Sequence, residues 1–367
     1  MTIGSRTQRT CGLRGSAFRW NSAFGAAGGV AGSLFSGSAD ASQHSALRPH
    51  IIAIGNDGAL RDSGPFATTP DDVQTILTDD FARVTKGWPR KRILLYAHGG
   101  LVAEKPAIDR VANYREALLK AHVYPLAFIW KTDLWTTIGN IVQDALRRRR
   151  AEGLFEGAKD FLLDRADDFL EPVARLVGGR SVWSEMKENA MLASGASGGA
   201  AIVAEHVRRL AAGGVELHIA AHSAGSILMA PLVDLVTSGG ANVKTCTLWA
   251  PAATMQVYDE HYHPAILDGR IATFALYTLT DKKERDDHCK KIYNKSLLYL
   301  VAHAFERQER IPLFKPDGTA AWNGEARGET PRTEEAHQRR TRGMGAGSER
   351  GERGGAWRVK SRASRRL

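Results

Sequence analysis

Short apolar runs alternate with amphipathic stretches through the middle of the chain. HIIAIG (50–55), RILLYAHGG (92–100), YPLAFIW (124–130), VELHIAAHS (215–223), VKTCTLWAPA (243–252) and IATFALYTLTD (271–281) are bounded by turn residues, and each predicts a strand. Between them, DDVQTILTDDFARVTKG (71–87) places Val73, Ile76, Leu77 and Phe81 on one helical face. PAIDRVANYREALLKAH (106–122) predicts a helix with Pro106 at its first position, where the missing N–H costs nothing. GGAAIVAEHVRRLAAGG (198–214), SILMAPLVDLV (226–236) and KSLLYLVAHAFE (295–306) predict three more, with Pro231 kinking its helix or sitting near its start. IPLFK (311–315) predicts a short last strand. Strands and helices in alternation are the pattern of an α/β fold, a doubly wound and mostly parallel sheet with helices on both faces.

Residues 133–190 interrupt the rhythm. Phe155, Phe161 or Leu162, Ala166, Phe169, Val173 and Leu176 recur at three- and four-residue steps, which predicts a helical insertion with no strand in it. An insertion of this size after a strand suits a cap over the sheet edge. The four consecutive arginines in ALRRRRAEG (145–153) are read as a solvated helical face.

Composition changes this picture at the two ends. Residues 1–48 are rich in Ser, Gly, Ala and Arg and carry a net charge of +4. Residues 326–367 carry +7, and between 326 and 366 they contain no Ile, Leu or Phe. Such segments cannot bury enough apolar surface to offset their ordering entropy. The expected organisation is therefore a disordered basic leader (1–48), a folded domain (49–318) and a disordered Arg/Gly-rich tail (319–367). Of the total charge of +10, the remainder left for residues 49–325 is −1. Basicity at the ends of a neutral body, without a basic stripe interleaved with aromatics, argues against specific nucleic-acid recognition. Cys11, Cys246 and Cys289 are widely spaced, which suits neither a disulfide framework nor a zinc site. No apolar run approaches the roughly 18–20 residues of a membrane span. With no persuasive export signal in 22–35, a cytoplasmic location is the default.

Chemistry concentrates at one seam. In LHIAAHSAGSILMAPLVDLV (217–236) a strand reaches Ala221-His222 and a helix starts by Gly225. Small residues two before and two after Ser223 let strand and helix approach closely. The serine then occupies a strained, exposed turn at the carboxyl edge of the sheet, facing a helix N-terminus that favours developing negative charge.

Ala221-His222-Ser223-Ala224-Gly225 resembles the nucleophile elbow of the α/β-hydrolase superfamily, G-x-S-x-G, with Ala in place of the first Gly. YAHGG (96–100), at the end of an earlier strand, is similar to that family's oxyanion loop. The resemblance covers about residues 50–318. It implies that Ser223 is a nucleophile and that backbone N–H groups of Gly99, Gly100 or Leu101, together with Ala224, bind an oxyanion. His98 is read as a loop anchor. The family's acid follows the second strand after the nucleophile, which here is Asp281, with Asp286 and Asp287 on the same loop. The family's base comes later still. His337 has the right order, His303 lies inside a helical pattern, and His288 stands only seven residues past Asp281. The implied activity is that of a serine hydrolase of carboxylic esters, esterase- or lipase-like, working through an acyl-enzyme on a small-molecule ester with no cofactor or metal. The competing expectation is a catalytically dead relative that binds but lacks a competent histidine.

Overall fold

The computed structural model describes residues 43–99, 104–130, 179–279 and 295–307, with 171–172, 174–175, 283–284 and 287. Six strands form its centre: β1 (Ile51–Ile54), β2 (Arg92–Ala97), β3 (Tyr124–Trp130), β4 (Glu216–His222), β5 (Val243–Trp249) and β6 (Phe274–Tyr277). They make one open sheet in the order β1-β3-β2-β4-β5-β6, with every pair parallel. Each strand falls inside one of the six runs marked by the apolar pattern. β1 and β3 are buried along their whole length, as continuous apolar runs require when both faces are covered. β5 alternates buried and more open positions, because one of its faces is less covered.

The helices take the two faces unequally. α1 runs from Pro70–Thr75 through a wider turn, Ile76–Asp80, to Phe81–Val84, and a Thr69–Asp72 capping box fixes its start. α2 is Glu104–Lys120, α3 Arg180–Leu192, α4 Gly199–Ala212 and α5 Gly225–Thr237. α6 joins Met255–Val257, Tyr258–Tyr262 and His263–Leu267, and α7 joins Leu297–Leu300 to Val301–Phe305. Ala107, Val111, Tyr114 and Leu118 of α2 pack on one face with Leu94, Tyr96 and Ile129. α1 and α3 to α7 bury their apolar stripes on the other face, against Ile93, Leu95, Phe128, Leu217 and Ile219. Helices on both faces of a parallel sheet define a doubly wound α/β fold.

Right-handed crossovers explain the division. Only the β2-to-β3 connection, which carries α2, steps backward along the sheet, so α2 alone among the described connecting helices lies on its face. The chain leaves β2 in one direction and β4 in the other. These two neighbouring strands therefore bound the switch point at the carboxyl edge, where open α/β sheets leave a crevice.

Several boundaries differ from the pattern-based expectation. Residues 43–47 form a helical turn, and Leu47 is buried, so ordered chain begins before position 49. α3 lies at the end of the expected insertion, yet Trp183, Met186 and Ala190 join the main core and α3 packs on α5. This part belongs to the body because its three- and four-residue spacing supplies a wall for α5. Residues 133–170 lie outside the described residues, as do 1–42, the expected strand 311–315 and the tail. Pro106 stands third in α2 rather than first, which the first turn tolerates equally since its N–H groups have no intrahelical partner. Pro231 sits inside α5 at its seventh position, leaving the Ile227 carbonyl without its usual i+4 donor. α6 was not foreseen, because Tyr, His and Asp interrupt its apolar spacing and Pro264 breaks it.

Gly225 shows how tightly α5 meets the sheet. A Cβ there would lie 2.4 Å from the Ala97 oxygen and 2.8 Å from the His98 oxygen, both backbone atoms that cannot yield. Helix propensity alone favours Gly225→Ala by about 1 kcal/mol. The packing reverses that sign: Gly225→Ala is expected to destabilise by about 1–3 kcal/mol in urea titration. An unchanged or raised midpoint would contradict the close approach.

Candidate active site

Three non-glycine residues among those described have left-handed backbone: His122, Ser223 and Ala250. Ser223, at φ 51°, is the left-handed residue of the two-residue link, Ser223 and Ala224, between β4 and α5. This conformation costs an L-residue roughly 1–2 kcal/mol and persists only where surroundings over-determine it. Here they do. The Ser223 N–H donates to the Trp249 carbonyl at 2.9 Å. The Ser223 carbonyl accepts from the N–H of Ser226 (3.0 Å), the N–H of Ala252 (3.1 Å) and the hydroxyl of Ser226 (2.7 Å). Ser226 also accepts from the Ala253 N–H through its Oγ at 3.1 Å, and its carbonyl accepts from the Tyr262 hydroxyl at 2.6 Å. Ser226 escaped the sequence reading. Its signal was a second hydroxyl three residues after the first, at a helix start.

Gly99 stands beside this turn, at the end of the neighbouring strand. A Cβ on Gly99 would fall 3.1 Å from the Ser223 Cβ and 2.9 Å from the His222 Nδ1, so only glycine fits without displacement. Gly99 and Ala224 are both buried. Neither N–H has a hydrogen-bond acceptor among the described residues. Buried amides without an acceptor are rare; among the described residues, these two stand next to one serine. Gly100 and Leu101, the other oxyanion candidates, lie outside the described residues.

His98 is fully buried and donates from Nδ1 to the Gly99 carbonyl at 2.8 Å, while the Trp130 indole Nε1–H donates to the His98 carbonyl at 3.2 Å. Donation to a carbonyl puts the proton of the neutral ring on Nδ1. Burial pushes the pKa of both His98 and His222 down to about 4, and the nearby Arg110 guanidinium pushes the same way. Both rings are neutral at physiological pH.

The remaining candidates lie elsewhere. Asp281, Asp286, His288 and His337 fall outside the described residues. Asp287 is described and exposed. His303 sits in α7, buried, with Nδ1 2.6 Å from the Glu171 carboxylate and Lys295 3.4 Å from the other Glu171 oxygen. No hydrogen bond or ion pair joins it to Ser223. The Ser223 hydroxyl itself has no hydrogen-bond partner among the described residues. A cleft of about 550 Å³ opens between α3, the first turn of α5 and α6, walled by Met191, Ile227, Thr254 and Val257, and Ser223 does not line it. No group of three or more His, Cys, Asp or Glu among the described residues could hold a metal ion, and no described helix is long and apolar enough to cross a membrane.

A scan against protein-family models finds no match, and neither do searches of curated proteins and of solved structures. Fold and site are therefore read from the chain's own geometry: a doubly wound α/β sheet with a serine hinge at its switch point.

Two outcomes follow from this geometry. Stored strain at Ser223 predicts that Ser223→Gly is more stable than Ser223→Ala by about 1 kcal/mol, measured by urea unfolding. Equal stabilities would remove the strain. The second concerns pH. The folded-state pKa of His222 lies below its unfolded value of 6.5, so its contribution is complete above 6.5 and is lost as pH falls through that value toward 4. The loss near pH 5 is roughly 2 kcal/mol. His222→Gln should remove about that much of the stability drop seen between pH 7 and pH 5, and an equal drop in the variant would contradict a neutral buried His222.

Proposed function

We propose that the chain is a serine hydrolase of carboxylic esters, of the α/β-hydrolase type, with Ser223 as nucleophile. The observation that carries this reading is the hinge itself. Ser223 is held in left-handed backbone at the switch point, beside the buried residues Gly99 and Ala224, whose N–H groups have no acceptor among the described residues. A structural turn gains nothing from either feature. A nucleophile gains both: an exposed hydroxyl, and donors for the charge that forms on the carbonyl oxygen.

In this reading Ser223 Oγ attacks the ester carbonyl carbon and the carbonyl π pair moves onto oxygen. The hydroxyl proton passes to a histidine oriented by a carboxylate and then to the leaving alcohol, and water resolves the acyl-enzyme. Asp281 and His337 hold the acid and base roles by resemblance. His303 is the other base candidate, and its pairing with Glu171 gives it an orienting carboxylate of its own.

A second reading is a binding protein of the same fold without turnover. It is favoured by the Ser223 hydroxyl having no histidine partner among the described residues.

A fluorophosphonate probe separates the two. The hydrolase reading predicts stoichiometric labelling that Ser223→Ala abolishes, that His337→Ala abolishes, and that His303→Gln leaves in place. Loss of labelling in His303→Gln alone would move the base to His303. No labelling of folded wild type would leave the binding reading.

A further inference from the structure

We propose that the crevice takes esters carrying a negative group, a carboxylate in the simplest case, and that Arg110 of α2 holds that group. This deepens the hydrolase reading and rests on it. It names a substrate class that the reading alone leaves open.

The helix places Arg110. α2 follows β2, so it starts at the carboxyl edge and runs back across the sheet. Ala107, Val111, Tyr114 and Leu118 form its buried stripe. Arg110 stands three residues after Ala107 and four before Tyr114, on the same side of the helix. The Tyr114 ring meets the Tyr96 ring edge-on, with centroids 5.5 Å apart. Four residues back along α2 is about 6 Å. Two residues on along a strand is about 6.6 Å. Arg110 is therefore level with the positions two past Tyr96 and two past its β4 neighbour Ala220. Those are His98 and His222. Ala220 packs in the α2 cluster, and alternation puts His222 on the same face. Long side chains on a helix point back toward its start, which here is the carboxyl edge. Electrostatics agree with the placement. Burial is the main cause of the shifts at His98, His222 and Tyr96, and the Arg110 guanidinium acts on all three.

Charge is the second observation. α2 contains three acids, and each has another partner. Glu104 takes Arg61 with both oxygens, Asp109 takes Lys105 at 3.7 Å, and Glu116 takes Lys120 at 3.7 Å. Arg110 has no carboxylate partner among the described residues. It is only partly exposed, and Tyr96, His98 and His222 beside it are neutral at physiological pH. A cation drawn partly out of water among neutral groups gains from an anion that arrives with the substrate. The serine is close to the same rings. The point where a Gly99 Cβ would lie is 2.9 Å from His222 Nδ1 and 3.1 Å from the Ser223 Cβ, so ring and nucleophile border one space. An ester on Ser223 that extends past His222 on the α2 side meets the guanidinium.

The test uses two pairs of esters matched in size. Mono-4-nitrophenyl glutarate against 4-nitrophenyl valerate puts the charge on the acyl part. 3-Carboxyphenyl acetate against phenyl acetate puts it on the alcohol. The ratio of kcat/KM within each pair, corrected for uncatalysed hydrolysis, is measured for wild type, Arg110→Gln and Arg110→Lys, with melting temperatures. Wild type is expected to favour the charged ester in at least one pair by about 10- to 100-fold. Arg110→Gln should bring that ratio close to 1, and Arg110→Lys should keep part of it. Where Arg110→Gln fails to fold, a salt titration of wild type reads the same charge, and the ratio should fall as salt rises. A ratio that survives in folded Arg110→Gln, or that ignores salt, would overturn the assignment. So would wild type that a fluorophosphonate labels on Ser223 but that treats charged and neutral esters alike or hydrolyses none of the four. In those cases the hydrolase reading stands. Folded wild type that is neither labelled nor active would overturn both.

Discussion

The missing side chain at Gly225 is the constraint on which this site depends. It lets the first turn of α5 close against the ends of β2 and β4 at a distance no Cβ would permit. With helix and strand that close, the chain must reverse across Ser223 and Ala224. A left-handed Ser223 is what makes the reversal, and three donors on its carbonyl keep it there. The cost is roughly 1–2 kcal/mol of backbone strain. Hydrogen bonds from Ser226 and Ala252, each typically worth about 1 kcal/mol, are sufficient to offset it.

The two sides of the crevice do different work. The β4 side supplies the hydroxyl, and its position follows from the hinge. On the β2 side, the His98 ring holds the Gly99 carbonyl and the Trp130 indole holds the His98 carbonyl. Low-dielectric surroundings keep His98 and His222 neutral, and the nearby Arg110 guanidinium pushes the same way. In the proposed reading, charge stabilisation falls to dipoles fixed before the substrate arrives.

Much of the scaffold was legible in the sequence because its signals are local. Apolar runs bounded by turn residues mark all six strands, and three- and four-residue spacing marks α1, α2, α4 and α5. Ser223 and Gly99 stood out because small residues at a strand end have few other uses. What escaped was long-range or irregular. The Trp130–His98 bond spans 32 positions and the His303–Glu171 pair spans 132, and no periodicity encodes either. The packing of α3 on α5 could not be read from its apolar stripe, which shows that a helix is buried but not against what. α6 escaped because polar aromatic residues and Pro264 hide its spacing. Ser226 was visible as a residue, but its role appears only once the Ser223 carbonyl is placed.

The most direct measurement of the central claim is a crystal structure of the phosphonylated protein. The account predicts a phosphonyl group on Ser223 Oγ with one oxygen about 2.7–3.1 Å from both the Gly99 and the Ala224 nitrogens. A phosphonyl oxygen turned to solvent, with those two N–H groups bonded elsewhere, would contradict it.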